Sequence, residues 1–114
     1  MNRCFLIGRV VRDPEAKEKY TRFTLAVDRR GEGADFPSCV AFGKTAEFVN
    51  KYIKKGVKIA LEGHIQTGSY KKEEKTIYTT DVIADSIEFA ESKKAENEEV
   101  WREIDNGQME LPFN

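Results

Sequence analysis

Within residues 35–52 the apolar period changes from that of a strand to that of a helix, and this switch limits the fold more than any other stretch. Phe36, Ser38, Val40 and Phe42 fall on one side of a period-2 strand, with Pro37, Cys39 and Ala41 on the other. Ala46, Val49, Tyr52 and Ile53 then recur at i, i+3, i+6 and i+7, the spacing of one helical face. Thr45 is the expected N-cap, and Lys54-Lys55-Gly56 supplies cations and a glycine for the C-terminal end. No second helix is expected in the first ninety residues. Both sides of the strand are apolar, so alternation alone does not decide which faces the core. On pattern, Phe36 and Phe42 are assigned to the core.

The flanking chain reads as strand and turn. Residues 2–11 form a strand with Cys4 and Leu6 on one face and Phe5 and Ile7 on the other, interrupted by a bend or bulge at Gly8. A turn follows at Arg12-Asp13-Pro14-Glu15. Residues 20–28 are the clearest strand, with Phe23, Leu25 and Val27 inward and Arg22, Thr24 and Asp28 on a wet face. Residues 29–33 form a mobile loop with Arg29 and Arg30 at its base. After the helix, residues 57–67 place Ile59, Leu61, Gly63 and Ile65 on the core side. Residues 68–75 make a hairpin tip carrying Tyr70, Lys71, Lys72 and Lys75, and residues 76–84 return as a strand that Ile87-Glu88-Phe89 extends. Five antiparallel strands with one helix between strands three and four make an all-β protein with the layout of the five-stranded OB-fold barrel.

At 114 residues and 39% hydrophobic content the chain holds one small core, assigned to residues 1–90, followed by a short acidic tail, 91–114. The net charge of −1 conceals an asymmetry. Residues 1–90 carry 16 basic against 13 acidic side chains, and residues 91–114 carry 3 against 7. A mildly basic body with an acidic peptide suits a binder of polyanions, and equally an ordinary solvated surface. In the tail, Ala95, Glu98, Glu99, Trp101, Arg102 and Ile104 have the spacing of a marginal helix that Gly107 would end.

Cys4 and Cys39 lie in separate strands without metal-ligand spacing, and His64 is the only histidine, so the expectation is two buried thiols, no metal and no cofactor. No leader peptide and no apolar run near the ~20 residues of a membrane span are read, so the expectation is a cytoplasmic chain. There is no Gly-rich phosphate loop, nucleophile elbow or carboxylate cluster, and Glu73-Glu74 among lysines reads as a solvated charge pair. An enzyme is not expected. Exposed rings and cations suffice to bind single-stranded nucleic acid, because bases stack on aromatic faces and cations meet phosphates. The candidates are Phe36, Phe42, Tyr70 and Tyr78, interleaved with Arg3, Arg9, Arg29, Arg30, Lys44, Lys71, Lys72 and Lys75. Tyr70, at a polar hairpin, has little core to join.

These residues resemble the bacterial-type single-stranded DNA-binding protein family. The resemblance runs from Asn2 to about Phe89, through Leu6-Ile7-Gly8-Arg9, Asp13-Pro14-Glu15, Phe23-Thr24-Leu25-Ala26-Val27, Val40-Ala41-Phe42-Gly43-Lys44-Thr45-Ala46-Glu47, Tyr52-Ile53-Lys54-Lys55-Gly56, Leu61-Glu62-Gly63 and Tyr78-Thr79-Thr80-Asp81-Val82. It implies an OB-fold assembled as a homotetramer, with the strand around Phe5 in the dimer contact. It implies sequence-independent wrapping of single-stranded DNA in replication, recombination and repair, without catalysis. Phe36 and Phe42 match base-stacking positions and Tyr70 matches the stacking position of the hairpin. Arg3, Lys44 and Lys54 or Lys55 match phosphate-contacting positions. The resemblance therefore moves both phenylalanines from core to groove.

Three features depart from the family. Arg29-Arg30-Gly31 stands where some members carry a stacking ring. A short charged segment replaces the long Gly/Pro/Gln-rich linker. At the tip, Glu110-Leu111-Pro112-Phe113 matches a partner-docking end, but Asn114 follows and displaces the carboxylate by one residue. Two other readings stay open at this stage: an OB-fold adaptor of a primosome-like assembly that mainly contacts proteins, and an RNA-binding OB module.

Overall fold

The computed structural model describes residues 1–91. Seven strands and one helix follow in the order β1 (Cys4–Val10), β2 (Glu15–Ala16), β3 (Thr21–Asp28), β4 (Ala34–Asp35), β5 (Ser38–Ala41), α1 (Gly43–Tyr52), β6 (Lys58–Lys72) and β7 (Lys75–Phe89). The five longer strands close on themselves. β1 pairs with β6, β6 with β7, β7 with β5, β5 with β3, and β3 returns to β1 through Arg9↔Ala26 and Val10↔Leu25. This is the expected OB-fold barrel, closed so that its core strands present no free edge. One expectation is corrected: the five strands are not all antiparallel, because β5 and β7 run parallel through Cys39↔Val82 and Val40↔Ile83. The connection from β5 to β7 runs through α1 and then β6, which lies antiparallel to β7, so the chain returns in the same direction.

The inward face of each strand fills the barrel. Val10, Phe23, Leu25, Cys39, Ala41, Ile59 and Leu61 are buried, with Val82, Ala84, Ile87 and Phe89 from β7. Helix α1 adds Ala46, Val49 and Tyr52, the face that the 3.6 period assigns, and Ile53 follows as the C-cap. The N-cap is not Thr45. Phe42 takes that place in an extended conformation, φ −123° and ψ 161°, its carbonyl accepting the Ala46 N–H at 3.2 Å. Gly43, at φ +54°, lets strand and helix join with no intervening loop. No side chain caps the helix, and Thr45 lies inside it.

Three further boundaries differ from the sequence reading. The expected third strand breaks into β4 and β5 at Phe36-Pro37; Pro37 has no N–H to donate, but its carbonyl accepts from Leu25 N–H at 3.3 Å. The first strand starts at Cys4, yet the Asn2 side chain prolongs its ladder, donating to the Ile65 carbonyl at 2.7 Å and accepting from the Ile65 N–H at 2.9 Å. Ile65 lies on the core-side face of β6 but beyond the barrel wall, so it is exposed rather than buried.

β6 and β7 outrun the barrel as a two-stranded ribbon. The expected hairpin tip at 68–75 is strand on both sides, and only Glu73 and Glu74 turn the chain, at φ 51° and 66°. Where the ribbon joins the barrel the register slips: Glu62 faces Ser86 and Gly63 faces Ala84, leaving Asp85 as an extra residue on β7. Asp85 accepts from or pairs with His64 Nδ1 at 2.9 Å. Gly63 is required there, because a Cβ at that position would fall 2.0 Å from the Ile83 carbonyl oxygen. The bend expected at Gly8 falls where β1 passes from β6 to β3.

Candidate nucleic-acid interface

Phe42 is 47% exposed and Phe36 64%, so neither is core; Cys39 and Ala41 pack behind them at 0%. Strand register explains the sidedness. Residues paired across a ladder share a face. Thr21↔Ala41 and Phe23↔Cys39 point inward, which turns Arg22↔Val40 and Thr24↔Ser38 outward. Through Val40↔Ile83 and His64↔Ile83 the outward face continues onto β7 and β6, where Gln66↔Asp81 follow. Phe42 ends this face at the mouth of α1.

A recess of about 240 Å³ lies on that face, lined by Tyr20, Arg22, Val40, Phe42, Gln66, Asp81 and Ile83. Val40 and Ile83 form an apolar floor, buried although they are outside the barrel core. The Tyr20 and Phe42 rings stand beside it, centroids 6.2 Å apart and tilted by 54°. The Arg22 guanidinium lies 5.9 Å from the Tyr20 ring centre and donates from Nη1 to Asp81 Oδ1 and Ser38 Oγ, each at 2.7 Å. That hydrogen bond to Asp81 raises the Arg22 pKa and keeps it a fixed cation. Flat rings, an apolar floor and paired charges at the rim make a surface that accepts one planar heterocycle edge-on or stacked.

The other sequence candidates distribute unevenly around this recess. Lys44 lies in the first turn of α1, two residues from Phe42, with no ion pair among the described residues. Phe36 is exposed at the break before β5. Tyr70 pairs with Ile77 on the ribbon and shares a face with Gln66 and Asp81, together with Lys72 and Lys75. Tyr78 is exposed too, but pairs with Ser69, so it and Lys71 occupy the opposite face of the ribbon. Arg29 is held by Asp35 at 2.9 Å, which raises its pKa, and Arg30 is exposed in the adjoining loop. Arg3 pairs with Glu62 at 2.7 Å, and Arg9 reaches the Gly56 carbonyl and Glu91. Lys54 and Lys55 follow the far end of α1, about 15 Å of helix away from Phe42. The tip at Glu110, Leu111, Pro112 and Phe113 lies outside the described residues.

The sequence reading missed Tyr20, Gln66 and Asp81, and treated Arg22 only as a wet-face residue. Alternation places Arg22 outward, but only the β3–β5–β7 register brings it against Asp81, fifty-nine positions later.

A family model described as "Single-strand binding protein family" matches residues 1–90. The chain belongs to this family. A single-stranded DNA-binding protein of Fusobacterium nucleatum subsp. nucleatum is 49% identical, over 82% of this chain and 69% of the relative. One of Clostridium perfringens is 46% identical, over 81% and 67%. In a solved structure, the Plasmodium falciparum SSB complex with ssDNA, the matching chain superposes with a TM-score of 0.71 at 22% identity, over 80% of this chain and 96% of that one. At that identity the likeness speaks for the shared fold. Within the family's span, residues 1–90, lie the whole barrel, the recess and the ribbon.

Proposed function

We propose that this protein binds single-stranded DNA without reading its sequence, protecting it during replication, recombination and repair, and that it does so without catalysis. The observation that carries the reading is the exposed Phe42 ring beside Tyr20 on an outward apolar floor, in a chain of this family. An unstacked base placed on such a ring contributes about 1–3 kcal/mol. Phe36 and Tyr70 extend the stacking track on either side. Lys44, Arg30, Lys72 and Lys75 are free to meet phosphates, with Lys71, Lys54 and Lys55 as outlying contacts. Arg3, Arg9 and Arg29 would first exchange an internal carboxylate for a phosphate.

Self-association belongs to the same reading. Phe5 is 71% exposed and Ile7 57%, and with Ala60 they form an apolar patch on β1 and β6. A second copy covering it gives at least a homodimer, and two such dimers the homotetramer. Partner recruitment is assigned to the tip at Glu110-Leu111-Pro112-Phe113, with Asn114 retuning it. Among the described residues no helix is long and apolar enough to cross a membrane. We assign the protein to the cytoplasm, at the nucleoid.

Titration with fluorescently labelled oligo-dT tests the reading. Wild-type protein is expected to bind tightly and to weaken steeply with salt, as phosphate neutralisation requires. Binding to oligo-dT no tighter than to duplex DNA would overturn it in favour of a protein-contacting adaptor. Equal affinity for oligo-U RNA would redirect it to RNA.

A further inference from the structure

Gly68 stands in the middle of β6, where the backbone does not require a glycine. Inside a strand a glycine costs stability, and it marks a bulge, a bend or a place where another group approaches closely. The ladder runs in regular register through Gly68↔Thr79, and its one irregularity falls earlier, between Glu62 and Gly63. Gly68 is not among the glycines at positive φ, so any residue could adopt its backbone conformation. No other backbone crowds it either. Apart from its chain neighbours, a Cβ at Gly68 would meet one atom within 4 Å, the Thr79 Oγ1 at 3.2 Å. What the missing side chain leaves is space, open to solvent.

That space lies on the outward face of the ribbon, between Gln66 on the wall of the Phe42 recess and Tyr70, which is 54% exposed. Same-face neighbours on a strand are about 6.6 Å apart, so Gln66 and Tyr70 rise from points about 13 Å apart. A base is about 3.4 Å thick, the step of a stacked strand, and fits against the Tyr70 ring in the gap. The Thr79 hydroxyl at the floor donates or accepts as the base edge demands, so the gap takes any base.

We propose that Gly68 is a positioning residue for the DNA: its missing side chain opens a one-base slot in which a nucleotide stacks on Tyr70. The inference rests on the single-stranded DNA-binding reading and gives one nucleotide of the track a defined seat between the recess and the ribbon tip.

The test is a double-mutant cycle on the full chain, with oligo-dT affinity measured for wild type, Gly68→Val, Tyr70→Ala and the pair. Valine fills the slot and favours a strand, so the thermal midpoint of Gly68→Val is expected not to fall. Its affinity is expected to fall at least about fivefold, the low end of the worth of one stacked base, with an unchanged salt slope. Tyr70→Ala is expected to lose a similar factor, and the pair no more than the larger single loss, because both changes empty the same seat. Should Gly68→Val fail to fold, Gly68→Ala takes its place, with an expected loss of about two- to threefold. Wild-type affinity in a folded Gly68 variant, losses that multiply in the pair, or a shallower salt slope overturns the inference and leaves the general reading intact. Failure of the wild-type protein to bind oligo-dT overturns the general reading instead.

Discussion

Phe42 and Cys39 lie three positions apart and have opposite fates, and the difference follows from one face of β5 looking into the barrel and the other out of it. Because Phe42 contributes nothing to the barrel core, Phe42→Ala should leave the thermal midpoint within a few degrees while weakening oligo-dT binding by about 1–3 kcal/mol. A loss of stability with unchanged binding would return the ring to a structural role. Cys39 is the converse case. Burial pushes its thiol from 9.0 up to about 12, so it stays protonated in the fold where an unfolded chain would ionise. Its contribution is fully present below pH 9.0 and is lost as pH rises toward about 12, since the unfolded state then releases a proton that the folded state retains. Alkylation at pH 8 should therefore modify Cys4, which is partly exposed, well before Cys39, and modify both once urea unfolds the chain. Rapid modification of Cys39 in the native protein would contradict its burial. At this scale the sequence showed which rings exist but not where they point. Phe36 and Phe42 share their stretch with an equally apolar opposite face, and only the resemblance turned them outward. Tyr20, Gln66 and Asp81 carried no local signal at all, because what makes them a site is register between strands far apart in the chain.

Among the elements, helix α1 and the inward faces of β3 and of β6 as far as Gly63 were legible because period and amphipathicity agree there. The boundaries failed where backbone geometry overrode pattern. Pro37 split the third strand, Gly43 moved the helix start ahead of Thr45, and the ribbon extended through what reads as a loop because Thr- and Tyr-containing residues pair across it. Its turn has two non-glycine residues at positive φ, a conformation that costs about 1 kcal/mol each. Replacing Glu73-Glu74 by Asn-Gly, the pair suited to such a turn, should raise stability by about 0.5–1 kcal/mol in urea unfolding. A fall would show that the acidic pair makes contacts with the neighbouring lysines that outweigh the turn. Gly63→Ala should do the opposite, since its Cβ has no room against the Ile83 carbonyl at the bulge. The urea midpoint is expected to drop by the equivalent of at least about 2 kcal/mol, and an unchanged midpoint would mean that the bulge can relax.

For the whole molecule, the closed barrel leaves two surfaces with different chemistry. One carries the exposed Phe5 and Ile7, the contact proposed for another copy of the chain; the other carries Phe42, Tyr20 and the Arg22–Asp81 pair and suits a polyanion with flat rings. Phe5→Asp should lower the mass measured by sedimentation at micromolar concentration, and an unchanged assembly would place the contact elsewhere. The most direct measurement of the central claim is a salt series of oligo-dT titrations by fluorescence anisotropy, with wild type and Phe42→Ala side by side. Log affinity is expected to fall linearly with log salt at the same slope for both, with the Phe42→Ala line displaced toward weaker binding by about 1–3 kcal/mol. Coincident lines, or a flat dependence on salt, would contradict it.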